Sequence, residues 1–341
     1  MPTPPPMVEA SVAADAPHPK LRAIACVSGV SIERDIPCAD ISEYIRDRDN
    51  LVWLDVQDPG EEEAELLQEE FGFHPLAVED ALHADQRPKI DEYKGFLFMV
   101  AYALPPGGHP HEIEPQEVDL FIGRNYLVTV HRGPVPALQD ALGRWMRGGE
   151  MMREGIGFLV YTVLDTMIDT YFPVLESIEE EVEEAELRLL ADNDAGRMPS
   201  LLKVKRSLVT LRRLGVPMRD VFGSLLRREQ TLFQPQTRIY LQDVYDHLLR
   251  IVDAIETERE MLSSATDAYL AVLSNRLNAT MKTLTIITII VALVGAIFGA
   301  WGMNFENIPF SDQQYGFWVL LGGTFAAVGT AVWLALRRRW L

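Results

Sequence analysis

Two long uncharged apolar stretches lie close together at the C-terminal end of the chain. The first runs from Thr283 to Phe305 and the second from Tyr315 to Leu336. Each has about the 20 residues that an α-helix needs to cross a hydrocarbon core of roughly 30 Å. A buried globular helix can be equally apolar, but two such stretches in succession are typical of a membrane protein. We therefore predict two transmembrane helices in a lipid bilayer.

The flanking charges predict the orientation of these helices. Arg337, Arg338 and Arg339 follow the second stretch directly. Because Lys and Arg are enriched on the cytoplasmic side of membrane spans, the C-terminus is predicted to be cytoplasmic. Two spans return the chain to the same side, so the N-terminus is predicted to be cytoplasmic too. The predicted location is the inner or plasma membrane.

The rest of the chain is strongly acidic. The net charge is −19, from 31 Lys and Arg against 50 Asp and Glu. Residues 282–341 contain four basic and two acidic residues, so the negative charge lies in residues 1–281. Since phosphates bind basic surfaces, this charge argues against a nucleic acid partner and favours divalent cations. The two cysteines, Cys26 and Cys38, are too few for a disulfide framework and are typical of a reducing compartment.

A very long helix precedes and enters the first apolar stretch. No proline occurs between Pro235 and Pro309, and apolar residues recur there at a helical interval. We predict one helix from Gln236 to Met303, which would be about 100 Å long at 1.5 Å per residue. A further helix is predicted from Ile156 to Leu190, and another begins near Pro199.

Residues 21–150 have a different pattern, which predicts a mixed α/β domain. Strands are predicted at Leu21–Val30, Leu51–Val56, Phe96–Ala103, Val118–Ile122 and Tyr126–His131, and helices at 61–71 and 75–83. The predicted organisation is a disordered tail at 1–20, the α/β domain at 21–150, an antiparallel helix pair at 151–235, a stalk helix at 236–281, the first transmembrane helix at 282–305, an outer loop at 306–314, the second transmembrane helix at 315–336 and a basic tail at 337–341.

One face of the first predicted span carries mostly small or polar side chains. This stripe consists of Asn278, Met281, Thr285, Thr288, Ala292, Gly295, Gly299 and Gly302. It is either a helix-packing face, because small residues let helices approach closely, or a pore wall built by several subunits. Asn278 favours the pore, since an amide at the inner mouth needs polar partners or water.

No residue pattern indicates an enzyme. The glycines between Gly322 and Gly329 lie inside a predicted span, where they suit helix packing better than phosphate binding. Nucleophile signatures are absent from the sequence. The isolated histidines His74, His83, His131 and His247 show no metal-ligand spacing. We therefore predict a protein without catalytic activity.

The end of the first span carries a recognisable motif, Gly302-Met303-Asn304. Here the sequence resembles the CorA family of magnesium and cobalt transporters, whose signature is Gly-Met-Asn at this position. The resemblance covers nearly the whole chain after residue 20. It extends through residues 74–80, 86–89, 243–247, 275–285, 315–316 and 337–341.

The resemblance implies a homopentameric funnel, with an α/β cytoplasmic domain followed by long α-helices and two C-terminal transmembrane helices. The implied activity is passive uptake of Mg²⁺, and also Co²⁺, gated by intracellular Mg²⁺. The implied sites are a selectivity filter of Gly302, Met303 and Asn304, a basic inner ring of Arg337, Arg338 and Arg339, and regulatory Mg²⁺ ligands Asp80 and Asp243 from neighbouring subunits, with Glu79 and Asp165 nearby.

The chain also departs from the family pattern. Ala292, Leu293 and Gly295 stand where the family usually has Met, Pro and Thr. The hydrophobic constriction is therefore predicted elsewhere, at Met281 or Leu284. Two alternatives stay open: a Zn²⁺ transporter of the same superfamily, and a membrane-anchored sensor without a pore.

Overall fold

The chain forms two compact units, Met1–Leu262 and Ser263–Leu341. The structure is a computed structural model that describes residues 20–29, 31–37, 40–107, 110–147, 154–190, 198–227, 233, 236–302 and 315–337. Several predicted features lie outside these residues: most of the tail at 1–20, the filter residues Met303 and Asn304, the outer loop at 306–314, and Arg338 and Arg339.

The first unit is built on a seven-stranded mixed sheet with the order β2-β1-β3-β7-β6-β5-β4. Its strands are β1 (Leu21–Val27), β2 (Ser31–Arg34), β3 (Leu51–Gln57), β4 (Lys89–Tyr93), β5 (Phe96–Ala103), β6 (Gln116–Ile122) and β7 (Tyr126–His131). The pair β3–β7 is parallel and the other neighbours are antiparallel. The sheet is thus a twisted core layer with helices packed on it.

The helices follow and interrupt the strands. They are α1 (Ile41–Arg46), α2 (Glu61–Phe71), α3 (Pro75–Leu82), α4 (Pro136–Arg147), α5 (Ile156–Asp169), α6 (Tyr171–Leu190), α7 (Met198–Arg227), α8 (Thr237–Trp301) and α9 (Gly316–Arg337). The core is continuous from the sheet into the first half of α8, where apolar side chains such as Val244, Leu248 and Ile251 are fully buried.

The predicted helix over 156–190 is wrong in one respect, because the structure divides it into α5 and α6 at Thr170. Pro173 accounts for the division. A proline ring clashes with the carbonyl group four residues earlier, and here that residue is Asp169, the last of α5. At this break, the hydroxyl oxygen of Thr170 accepts a hydrogen bond of 2.9 Å from the N–H of Leu104, the residue that follows β5.

Among the residues that the structure describes, three helical segments are long and apolar enough to cross a membrane by length and composition: Ile156–Ala185, Thr237–Ala300 and Gly316–Trp333. The first was not predicted as a span, and 72% of its apolar window is buried inside the protein. The corresponding windows of the other two are 0% and 12% buried. Of these three described segments, the two C-terminal ones therefore have apolar surfaces that the chain itself does not bury.

One close helix contact gives a test of the fold. A Cβ atom added to Gly157 in α5 would lie 2.3 Å from Thr237 Cγ2 at the start of α8. We expect Gly157→Ala to lower the free energy of unfolding by about 1–3 kcal/mol, because the two helices must move apart. Gly143→Ala in α4 is the matched control, since its Cβ would meet only the Arg147 side chain, at 3.7 Å. Thermal unfolding of the full chain should show Gly157→Ala melting below the control, and equal melting would contradict the contact.

Candidate ion pathway and regulatory metal site

The small and polar stripe of α8 is uncovered in the single chain. All eight members, from Asn278 to Gly302, are exposed, and a Cβ added at Gly295 or Gly299 would meet no atom within 4 Å. The half-buried positions of the same helix segment are Thr283, Ile286, Ile290, Val294 and Ile297. At 3.6 residues per turn, these positions lie on the side of the helix opposite the stripe. The packing of the described residues therefore does not use the stripe.

The stripe offers neutral oxygen atoms. The Thr285 hydroxyl donates a 2.8 Å hydrogen bond to the Met281 carbonyl, and the Thr288 hydroxyl donates one of 2.8 Å to the Leu284 carbonyl. Each hydroxyl proton is thus used within the helix, and the oxygen lone pairs remain available as acceptors. The sequence has no Asp or Glu between Asp267 and Glu306, and its basic residues there, Arg276 and Lys282, are not members of the stripe. A pathway along this face is therefore uncharged.

At the outer end of α8, Gly302 still donates a backbone hydrogen bond of 3.0 Å to the Phe298 carbonyl. The predicted filter thus begins where the helix ends, while Met303 and Asn304 lie outside the described residues. Of the predicted basic ring, Arg337 is described. It is exposed at the end of α9, and its guanidinium lies 5.1 Å from the centre of the Trp333 ring.

Asp80, a predicted regulatory ligand, has a counter-ion in its own chain. It lies on α3, and its Oδ2 atom is 2.6 Å from Lys89 Nζ on β4. Burial alone would lower the pKa of Lys89, but the hydrogen bond to Asp80 and the charges of Asp80 and Asp91 raise it. The neighbouring Glu79 is exposed. A cation at Asp80 must therefore compete with the Lys89 ammonium.

The other two predicted ligands, Asp165 and Asp243, meet at a histidine. Asp165 on α5 is only 4% exposed, and its Oδ2 accepts a 2.8 Å hydrogen bond from Arg144 on α4. Its Oδ1 is buried without a hydrogen-bond partner and lies 3.7 Å from Nδ1 of His247 on α8. His247 Nε2 lies 4.0 Å from Asp243 Oδ2. The structure thus brings Asp165 and Asp243 to opposite sides of one imidazole ring.

Asp169 completes this cluster. Its Oδ1 is 3.7 Å from His247 Nδ1, a buried atom that also has no hydrogen-bond partner. One ligand atom each from Asp165, Asp169 and His247 lies within 4.8 Å of the others. Burial raises the pKa of Asp169, and the nearby Asp165 charge raises it further. Two carboxylates and an imidazole with unused lone pairs suit a divalent cation.

Sequence reasoning missed His247 and Asp169 as candidate ligands. His247 stands four residues after Asp243, which places both on one face of a helix, and this spacing was the available signal. Among the described residues, no hydrogen bond or ion pair joins Asp80 or Glu79 to Asp165 or Asp243. The single chain thus brings together only half of the predicted ligand set.

Comparison with known proteins decides the family. Residues 48–338 match the family described as CorA-like Mg²⁺ transporter protein. The chain belongs to this family. Over 324 residues it is 31% identical to the cobalt/magnesium transport protein CorA of Thermotoga maritima, with 92% of each chain covered. The complete structure of the CorA magnesium transporter from Methanocaldococcus jannaschii is similar with a TM-score of 0.80 and 27% identity, over 94% of this chain and 98% of that one.

These similarities confirm the family resemblance and the predicted fold class. The CorA-family chain has an N-terminal α/β unit, long helices and two apolar C-terminal helices, as the sequence predicted. The domain boundaries and the site residues stay predictions.

Proposed function

We propose that this CorA-family protein forms a homopentameric pore for passive uptake of Mg²⁺, and also of Co²⁺, across the inner or plasma membrane. In this proposal α8 and α9 are the two spans, and both termini are cytoplasmic. The observation that carries the proposal is the uncovered stripe of α8, which lies opposite the side that the chain itself partly covers. A two-span chain cannot enclose a pore alone, so several stripes must face one another.

The chemistry of the stripe suits a hydrated divalent cation. Mg²⁺ holds its water shell tightly and demands octahedral geometry. Threonine hydroxyl oxygens and the Asn304 amide accept hydrogen bonds from that water without replacing it. Because these acceptors are neutral, they bind weakly enough for the ion to leave. Carboxylates in the same positions would hold the ion more strongly and slow its release.

The proposed gate is the acidic cluster of the first unit. Asp165, Asp169 and His247, with Asp243 beside them, would hold a regulatory Mg²⁺ from one subunit, and Asp80 and Glu79 would approach from its neighbour. Without the cation these acids repel one another, which favours an open arrangement. Intracellular Mg²⁺ would bind the closed arrangement better and shift the population towards it.

Cysteine accessibility along α8 tests the pore. In a background without Cys26 and Cys38, single cysteines are introduced and treated with a water-soluble thiol reagent. We expect the stripe positions to react because they face water in a pore, and the half-buried positions to stay protected. The reactive set is 278, 281, 285, 288, 292, 295 and 299, and the protected controls are 286, 290 and 297.

Two outcomes of this labelling separate the alternatives. Reaction that follows the stripe supports a water-filled pathway, and transported cations should slow it. Equal protection of both faces would mean that the stripe is a helix-packing surface, as in a sensor without a pore. Uptake of Zn²⁺ by the cysteine-free parent at lower concentration than Mg²⁺ would favour the zinc-transporting alternative.

A further inference from the structure

A second acidic site lies in a cavity of the α/β unit, away from the cluster around His247. The cavity has a volume of about 280 Å³ and opens beside the loop that follows α3. Four acidic residues line it, Asp85, Glu114, Glu117 and Asp119, together with Arg132 and His131, and the His131 ring contacts Asp55. The Arg132 guanidinium already donates a 2.5 Å hydrogen bond to the Leu82 carbonyl. The cavity is therefore negatively charged.

Glu117 is held rigidly by one of its two oxygen atoms. Its Oε2 accepts hydrogen bonds from the Tyr102 hydroxyl at 2.7 Å, the Asp85 N–H at 2.7 Å and the Gln86 N–H at 3.1 Å. Its Oε1 is buried and has no hydrogen-bond partner. Three donors thus fix one oxygen of the carboxylate, while the other is buried without a partner in a residue that lines the cavity, which suits a preorganised ligand.

Asp119 presents a second unused oxygen. It lies two residues further along β6, so both side chains point to the same face of the sheet, with Cα atoms about 7 Å apart. Asp119 is 4% exposed, and its Oδ1 is buried without a hydrogen-bond partner. Burial raises the pKa of Asp119 well above its usual value, and the charge of Glu117 raises it further. A buried carboxylate oxygen without a partner is costly unless a ligand satisfies it.

We propose that this cavity binds a hydrated divalent cation, Mg²⁺ or a similar ion, between Glu117 and Asp119. Mg²⁺ is usually held in proteins by one or two carboxylates and several waters, not by a complete protein cage. A water molecule occupies about 30 Å³, so the cavity has room for an ion with a six-water shell.

The bound cation stabilises the α/β unit in this proposal. It neutralises the buried Asp119 and the half-buried Glu117, two residues apart on one strand, and it lies beside the end of α3, the helix that carries Asp80. The site is independent of the proposed pore, because none of the cavity residues lies in α8 or α9. It therefore stands even if ion uptake is disproved.

Mn²⁺ binding to the full-length protein in detergent tests the site. The signal of free Mn²⁺ in electron paramagnetic resonance gives the number bound per chain, and added Mg²⁺ should displace it. We expect Asp119→Asn, which keeps the shape and removes the charge, to bind one Mn²⁺ fewer per chain. Asp140→Asn, at an exposed position of α4, is the matched control and should bind as many as the wild type.

Two further variants keep the test decisive. Glu117→Gln retains an oxygen acceptor for the Tyr102 hydroxyl and should also bind one Mn²⁺ fewer per chain. This variant tests the site even if Asp119→Asn fails to fold. Asp80→Ala/Asp243→Ala should retain the Asp119-dependent Mn²⁺, which separates this site from the proposed gate. Equal Mn²⁺ number and affinity in the wild type, Asp119→Asn and Glu117→Gln would overturn the proposal.

Discussion

Asn304→Ala should abolish divalent cation uptake while the protein still assembles in the membrane. The reason is that Asn304 supplies the amide of the proposed filter, and no carboxylate in either span can replace it. A hydrogen bond to a charged group contributes about 1.5–3 kcal/mol. Since about 1.4 kcal/mol corresponds to a tenfold change, the loss at each subunit should lower uptake by at least about tenfold. Uptake is measured in cells at matched membrane abundance of wild type and variant.

Asn307→Ala is the matched control for this variant. It removes a second amide three residues further along the same predicted exit segment. We expect it to retain most of the uptake, because the signature motif ends at Asn304. Wild-type uptake in Asn304→Ala, or equal loss in both variants, would contradict the assignment of the filter.

Asp80→Ala/Asp243→Ala should remove most of the stabilisation that Mg²⁺ gives to the first unit. A ligand that binds the folded protein stabilises it by RT ln(1 + [L]/Kd), which is about 2.7 kcal/mol at a hundredfold excess over Kd. The melting temperature of the wild type should therefore rise with Mg²⁺ concentration. In the double variant this rise should be much smaller, because one ligand from each side of the proposed subunit interface is lost. Thermal unfolding of the full chain in detergent is the measurement.

Two controls define what this result means. Asp253→Ala removes an exposed acid from the same helix as Asp243 and should leave the Mg²⁺ response intact. Asn304→Ala should also leave it intact, since the filter is not part of the proposed gate. If the double variant is protected as strongly as the wild type, Asp80 and Asp243 are ordinary surface acids and gating is sensed elsewhere.

Long, uniform patterns made most of the fold predictable from sequence. The eight consecutive apolar or aromatic residues of β5 and the proline-free run of α8 identify their elements without any tertiary information. The strands β2 (Ser31–Arg34) and β4 (Lys89–Tyr93) were missed, because both are edge strands and their charged residues hide the apolar alternation. Neither α1 nor α4 was predicted. With six residues, α1 is too short to show a period, whereas α4 does carry one, with Ala137, Leu138, Ala141 and Trp145 buried at helical spacing, and this signal was overlooked.

The candidate sites were less predictable, because their ligands come from different elements. Asp165, Asp169 and His247 belong to two helices that are far apart in sequence and meet only through packing. The Lys89–Asp80 ion pair likewise depends on β4, a strand that the sequence did not reveal. The stripe of α8 was found from sequence because all its members lie on one continuous helix, where spacing alone defines a face.

Mg²⁺ flux into proteoliposomes that contain only the purified protein is the most direct test of the proposed pore. An imposed potential, negative inside, favours entry of a divalent cation by about 4.6 kcal/mol per 100 mV. We predict Mg²⁺ uptake that depends on this potential. Co²⁺ should compete with Mg²⁺ for uptake, and Asn304→Ala should prevent it. If folded and reconstituted protein gives no more Mg²⁺ flux than protein-free liposomes show, the proposed pore is contradicted.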